Sequence, residues 1–467
     1  MGNARARVVE SMGEFQALAD EINEWFAWRE RADADDKHGT QLEFLGALTR
    51  KLLAIFTAET AKIDLAGDVA TVYEECRQAD ERLLYVRRLW RWYADKFDQR
   101  STAKDGDLMT RTLCAADEVI WSCWKSALKS LGAAPDFDVP VPLAYLSPQF
   151  AASATRRTYF PAGLRPQVDK ILEDHVEQLP IPVIALPLIC QRRPWWLVVA
   201  AHEVGHQIQF EFPDLERRTK AALGEPWCRW HQELFADACA VLLAGPAFIW
   251  AITELETRPA AAPGEILDSG RYPPPLVRLA VIRVIAERAF TESDVARFAS
   301  PPPGGDADLT ALLDLVPDVA DALLGLTTDG GRPLRGLATE TARAYETGDI
   351  SDWQRKLRRT TTPDPKRTLG AARFCVAGSV AAWQSLADVD ITAQELGTRT
   401  ANLAGQVLGV LPECAERGRR GGPRGLNTAA RARNLAERLA ADLFATDLLA
   451  DDESPEDDPS FGEDGQP

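Results

Sequence analysis

Apolar residues recur at spacings of three and four along most of the first 130 positions. Phe44, Leu45, Leu48, Leu52, Ile55 and Phe56 make one such stripe, and Leu83, Leu84, Val86, Leu89, Trp90 and Tyr93 make another. This period puts apolar side chains on one side of an α-helix. It predicts a helical N-terminal domain over 1–134, stopped by Leu131-Gly132 and Pro135. The stretch 85–97 (YVRRLWRWYADKF) interleaves bases with aromatics. We read it as an amphipathic helix with arginine stems lying over tryptophan rings, rather than as a nucleic-acid stacking surface.

The pattern changes over 135–194, where ten prolines interrupt it. Residues 181–188 (IPVIALPL) are strand formers, but Pro182 and Pro187 predict an edge strand or irregular extended chain. Extended chain just ahead of the next helix is a place where a peptide can pair by strand addition. From Pro194 the sequence WWLVVAAHEVGHQIQF is apolar nearly all round, which predicts a core helix with proline at its first position. Further helices are expected over 226–245, ending at Gly245-Pro246, and over 276–290. These segments delimit a core at 135–300. PPPGGD at 301–306 then opens a helical C-terminal region, 301–450, with a solvated arginine-glycine loop at 418–425. Residues 451–467 hold eight acids and no base, and are expected to be disordered.

The chain of 467 residues is 46% hydrophobic, enough for more than one packed unit. Its formal charge of −17 opposes a phosphate backbone, which argues against nucleic acid as a partner. No apolar run reaches the ~20 residues of a membrane span, and none follows the N-terminal arginines as a secretory signal would require. The eight cysteines form no Cys-x-x-Cys pair and read as buried, reduced thiols. A soluble, cytoplasmic protein is expected.

His202-Glu203-Val204-Gly205-His206 changes the picture. Residues four apart on a helix lie nearly above one another, so both imidazoles can face one ion while Glu203 is turned to the flank. The chain has only five histidines, and placing two of them with a glutamate in an apolar helix is costly without a partner. A single Zn2+ supplies that partner. The next helix offers Glu233 as a third ligand, and Asp237, one turn on, as the acceptor that fixes a ligand imidazole. Cys228-x-x-His231 shows no second half of a structural zinc site, and His38 and His175 are expected at the surface.

HExxH followed by ExxxD resembles the gluzincin peptidases. Glu233-Leu234-Phe235-Ala236-Asp237 is similar to the form found in the CAAX prenyl protease and bacterial heat-shock endopeptidase family, whose membrane spans are missing here. The segment from Tyr272 to Leu279 (YPPPLVRL) matches that family's later motif in its prolines and Arg278, with Tyr272 where the family has histidine. The resemblance covers about residues 195–285. It implies a mainly α fold with a zincin-like core, active-site helices plus a small sheet, flanked by helical regions. It also implies peptide-bond hydrolysis with Glu203 as general base. Tyr272 is a candidate donor to the developing oxyanion and His231 its rival, while Arg278 pairs with an acid near the site or anchors a helix. A protein or peptide substrate and an unidentified regulatory partner follow. The competing expectation is a zinc-containing binding or regulatory protein with little turnover.

Overall fold

The computed structural model describes residues 2–414 apart from 33–36, 101–107, 133–138, 162–163, 165–177, 257–269, 299–308, 328–331, 388–390 and positions 271, 360, 367 and 369. The expectations for His175, for 301–306, for 418–425 and for the acidic stretch 451–467 lie outside the described residues.

The N-terminal apolar stripes become three long helices: α1 (Gly2–Ala32), α2 (Gly39–Ala61) and α3 (Val69–Asp98). Asp68 starts α3 by accepting from the Ala70 and Thr71 N–H groups. The three helices close over a core that includes Phe15, Leu45, Phe56, Val86 and Trp90. Within 85–97, Arg91 lies 4.4 Å from the Trp90 ring and Lys96 lies 3.4 Å from the Trp92 ring. Two of the four bases of this stretch, Arg91 and Lys96, therefore cover aromatic rings of their own helix.

Helix α4 (Leu108–Leu131) ends at Gly132, whose φ of +69° suits a residue without a side chain. Three short strands follow: β1 (Leu143–Ser147), β2 (Ser153–Thr155) and β3 (Val183–Pro187). The sheet order is β1-β3-β2, with β3 parallel to β1 and antiparallel to β2. The edge position expected for 181–188 is thus corrected, because β3 is the central strand. Pro182 precedes the ladder and Pro187 closes it, so neither removes a donor from its middle. Both sides of β3 are taken, and no peptide can pair there.

A 3-10 turn (Pro194–Val199) runs into α5 (Ala200–Glu211), followed by α6 (Pro213–Leu223). A second turn (Trp227–Trp230) leads into α7 (His231–Ala244), and Gly245, at φ +79°, redirects the chain into α8 (Ala247–Glu256). The described helices continue with α9 (Pro275–Ala289), α10 (Glu292–Ala296), α11 (Thr310–Gly325) and α12 (Thr339–Glu346). Helices α13 (Asp349–Leu357), α14 (Ala371–Ala387) and α15 (Ala393–Val410) complete them. The architecture is mainly helical with one small sheet.

One apolar core runs from Leu113 on α4 through Val204, Leu234, Ile282 and Val376 to Cys414. Trp195, just ahead of α5, stacks on Trp383 of α14 with centroids 4.9 Å apart and planes 12° apart. Apolar packing therefore crosses both 134 and 300, the limits that composition suggests.

His38 is buried, which corrects its expected surface position. Its charged sequence neighbours are misleading because the partner comes from α4: His38 Nε2 lies 3.1 Å from Asp117. All eight cysteines are unpaired, six of them buried. No helix among the described residues is long and apolar enough to cross a membrane.

Candidate metal centre

Two helices build the site. Gln207 anchors α5 to the sheet by donating to the Thr155 and Val183 carbonyls, each at 3.0 Å. Helix α7 packs against the opposite flank of α5, where Gly205 faces Ala236. The helical period then brings His202 and His206 to one side of α5, and α7 turns Glu233 toward them.

His202 Nε2 and His206 Nε2 are 3.0 Å apart. Glu233 Oε2 lies 3.3 Å from the first and 3.6 Å from the second. All three residues are buried, and they form the one group of ligand-type side chains converging in this way among the described residues. Each imidazole is braced by an aromatic ring. His202 stacks on Phe248 and His206 on Phe210, each with centroids 5.9 Å apart.

A second tier stands behind the cluster. His202 Nδ1 lies 2.9 Å from Asp237 Oδ1, the position expected for an acceptor that fixes the ring and turns Nε2 to the centre. Arg278 of α9 donates to both Asp237 oxygens at 2.8 Å, a bidentate pair that is buried on both sides. The same guanidinium donates to Glu256 at 2.8 Å and comes within 4.0 Å of Glu233.

Electrostatics follow from this crowding. Burial opposes a charge on His202, but its short contacts with Asp237 and Glu233 outweigh burial and push its pKa up to about 10. Burial would raise Glu233, yet the two imidazoles hold it well below the usual carboxylate range. Burial acts on Asp237 the same way and is overridden by Arg278, then by His202. The cluster is an anionic pocket that attracts a proton or a metal cation.

Glu203 follows His202 on α5 and is buried, at 5% exposure. Tyr272 is half-buried, its ring 5.4 Å from the Arg278 guanidinium at the margin of the second tier. His231 starts α7, and its ring nitrogens lie 2.7 Å from the Cys228 carbonyl and 3.5 Å from Glu216. Cys228 meets His231 through its backbone, not its thiol, which donates to Glu225. The structure thus gathers His202, His206, Glu233, Asp237 and Arg278 into one assembly, puts Tyr272 at its rim and engages His231 with α6.

Two contributors escape a reading of the sequence. Gln207 had a signal, being a polar residue in an almost wholly apolar helix. Glu256 had none, since nothing in ITELE separates it from its neighbour Glu254.

Two imidazoles and a carboxylate at chelating separation define a candidate metal centre with two histidine ligands and one glutamate. No protein-family model, curated protein or solved structure matches the chain.

Proposed function

We propose that the protein is a zinc-dependent endopeptidase, with a zincin-like core made by α5, α7 and the sheet. The observation that carries this reading is the convergence of His202, His206 and Glu233 at 3.0, 3.3 and 3.6 Å. Two ligands at about 2.1 Å from a tetrahedral zinc stand roughly 3.4 Å apart, so the three atoms already have the spacing that the ion demands. Three protein ligands leave one coordination position for water or substrate.

Zinc held there supplies a Lewis acid that polarises a peptide carbonyl and acidifies water. Glu203 takes the proton of the attacking water and hands it to the leaving amine. Tyr272 donates a hydrogen bond to the developing oxyanion. Asp237 keeps the His202 proton on Nδ1, and Arg278 keeps Asp237 in place. Substrates are proteins or peptides, and the unpaired cysteines fit a reducing, cytoplasmic compartment.

A second reading is supported by depth. His202, His206, Glu233 and Glu203 are all 8% exposed or less, which also suits a zinc-containing binding or regulatory protein with little turnover. Wild type and Glu203→Gln are to be compared on an unbiased peptide library, with zinc content measured in both. Equal zinc with cleavage by wild type alone supports the peptidase. Equal zinc with no cleavage by either replaces it with the binding reading.

A further inference from the structure

Arg278 is a single buried cation among three carboxylates. Its Nε and Nη2 are committed to Asp237, and its Nη1 donates to Glu256 Oε1 at 2.8 Å. Its Nη2 also stands 4.0 Å from Glu233, a member of the cluster itself. A guanidinium so close works against a second cation at His202 and His206 and competes for Glu233. Glu256, the last residue of α8, has only 15% of its side chain exposed and sits on the far edge of that guanidinium. It offsets the charge of Arg278 and holds the other edge flat against Asp237.

We propose that Glu256 is a positioning residue for the metal centre, acting through Arg278 and Asp237 on the His202 imidazole. The proposal rests on reading the His202–His206–Glu233 cluster as a metal site. The path is continuous, from Glu256 to Arg278 at 2.8 Å, to Asp237 at 2.8 Å and to His202 at 2.9 Å. Glu256 touches neither metal nor substrate. Its effect is on how firmly the ligands are presented and on the net charge the metal meets.

Glu254, two residues earlier on the same helix, provides a control. It is 41% exposed and lies 3.9 Å from Arg193, on another surface. Zinc affinity is measured on the full chain by competition with a chromophoric chelator, for wild type, Glu256→Gln and Glu254→Gln. The Tm of each metal-free protein and the visible spectrum of each cobalt-loaded form are recorded alongside. Glutamine keeps an acceptor for Arg278 and removes only the charge. Glu256→Gln is expected to weaken zinc about tenfold and to shift the cobalt bands, with Glu254→Gln matching wild type. Wild-type affinity and spectrum in Glu256→Gln overturn the proposal, and a lowered Tm alone leaves only a structural role. A wild type that takes up no zinc removes the metal reading itself, and this proposal with it.

Discussion

Gly205 of α5 backs directly onto Ala236 of α7. A Cβ built on the glycine would fall 2.8 Å from the Ala236 Cα and 3.0 Å from the Cys239 Cβ. Only a residue without a side chain lets the two helices come this close, and that approach carries Glu233 to the two imidazoles. The middle of the HEVGH motif is therefore as much a part of the centre as its ends.

Gly205→Ala follows from that contact. The atoms in the way belong to backbone and to a Cβ, so they cannot swing aside and the helices must separate. We expect a loss of about 1–3 kcal/mol in stability together with weaker zinc binding. Denaturant unfolding and a zinc titration check it. Unchanged values in both would mean that α5 and α7 are less tightly opposed than described.

Replacing any one of His202, His206 or Glu233 by alanine should abolish stoichiometric zinc. Metal at a thousandfold excess over Kd stabilises a folded protein by about 4 kcal/mol when the unfolded chain does not bind it. Wild type should show a zinc-dependent rise in Tm that a chelator reverses, and the three variants should not. Thermal melts with and without zinc, supported by elemental analysis, decide it.

Asp237→Ala strands two groups at once. Arg278 loses its bidentate acceptor while buried, and His202 loses the carboxylate 2.9 Å from Nδ1. Breaking a buried ion pair from one side costs about 3–5 kcal/mol. Asp237→Asn keeps an acceptor and should cost less. Urea unfolding of the two metal-free variants is the measurement.

Acid stability depends on a second buried cluster, remote in sequence from the candidate metal centre. Burial would raise the Asp117 carboxyl, but the Arg100 guanidinium and the His38 ring hold it well below its ordinary value of 3.8. As pH falls below about 4, the unfolded chain binds a proton that the folded chain excludes, so stability drops. Above that value the contribution is complete. Asp117→Asn should be less stable near neutral pH and should lose the part of the acid dependence that Asp117 supplies. Tm measured from pH 3 to 7 tests this.

Much of the centre was legible in the sequence because its parts are local. His202 with His206, and Glu233 with Asp237, each use the four-residue repeat of a single helix. The helical stripes of α2 and α3 were legible for the same reason. What depends on distant partners was not. His38 reads as polar from DADDKH, yet Asp117 on α4 gives it a buried partner. Residues 181–188 read as an edge from their prolines, yet β1 and β2 flank them on both sides. Glu256 and Glu254 have the same composition and neighbours, and only the position of Arg278 on α9 tells them apart.

The stacking of Trp195 on Trp383 sets the smallest piece that can be cut out and studied alone. A fragment trimmed to the two ligand-bearing helices and the sheet would lose α14 and strip the indole cover from the segment leading into His202. It would also lose α4, whose residues share the same apolar interior. The core under α1–α3 extends to Leu143 of β1 and Val183 of β3, so excision for biochemistry should keep those three helices as well and end no earlier than Cys414. Shorter versions are expected to clump through the surface they expose.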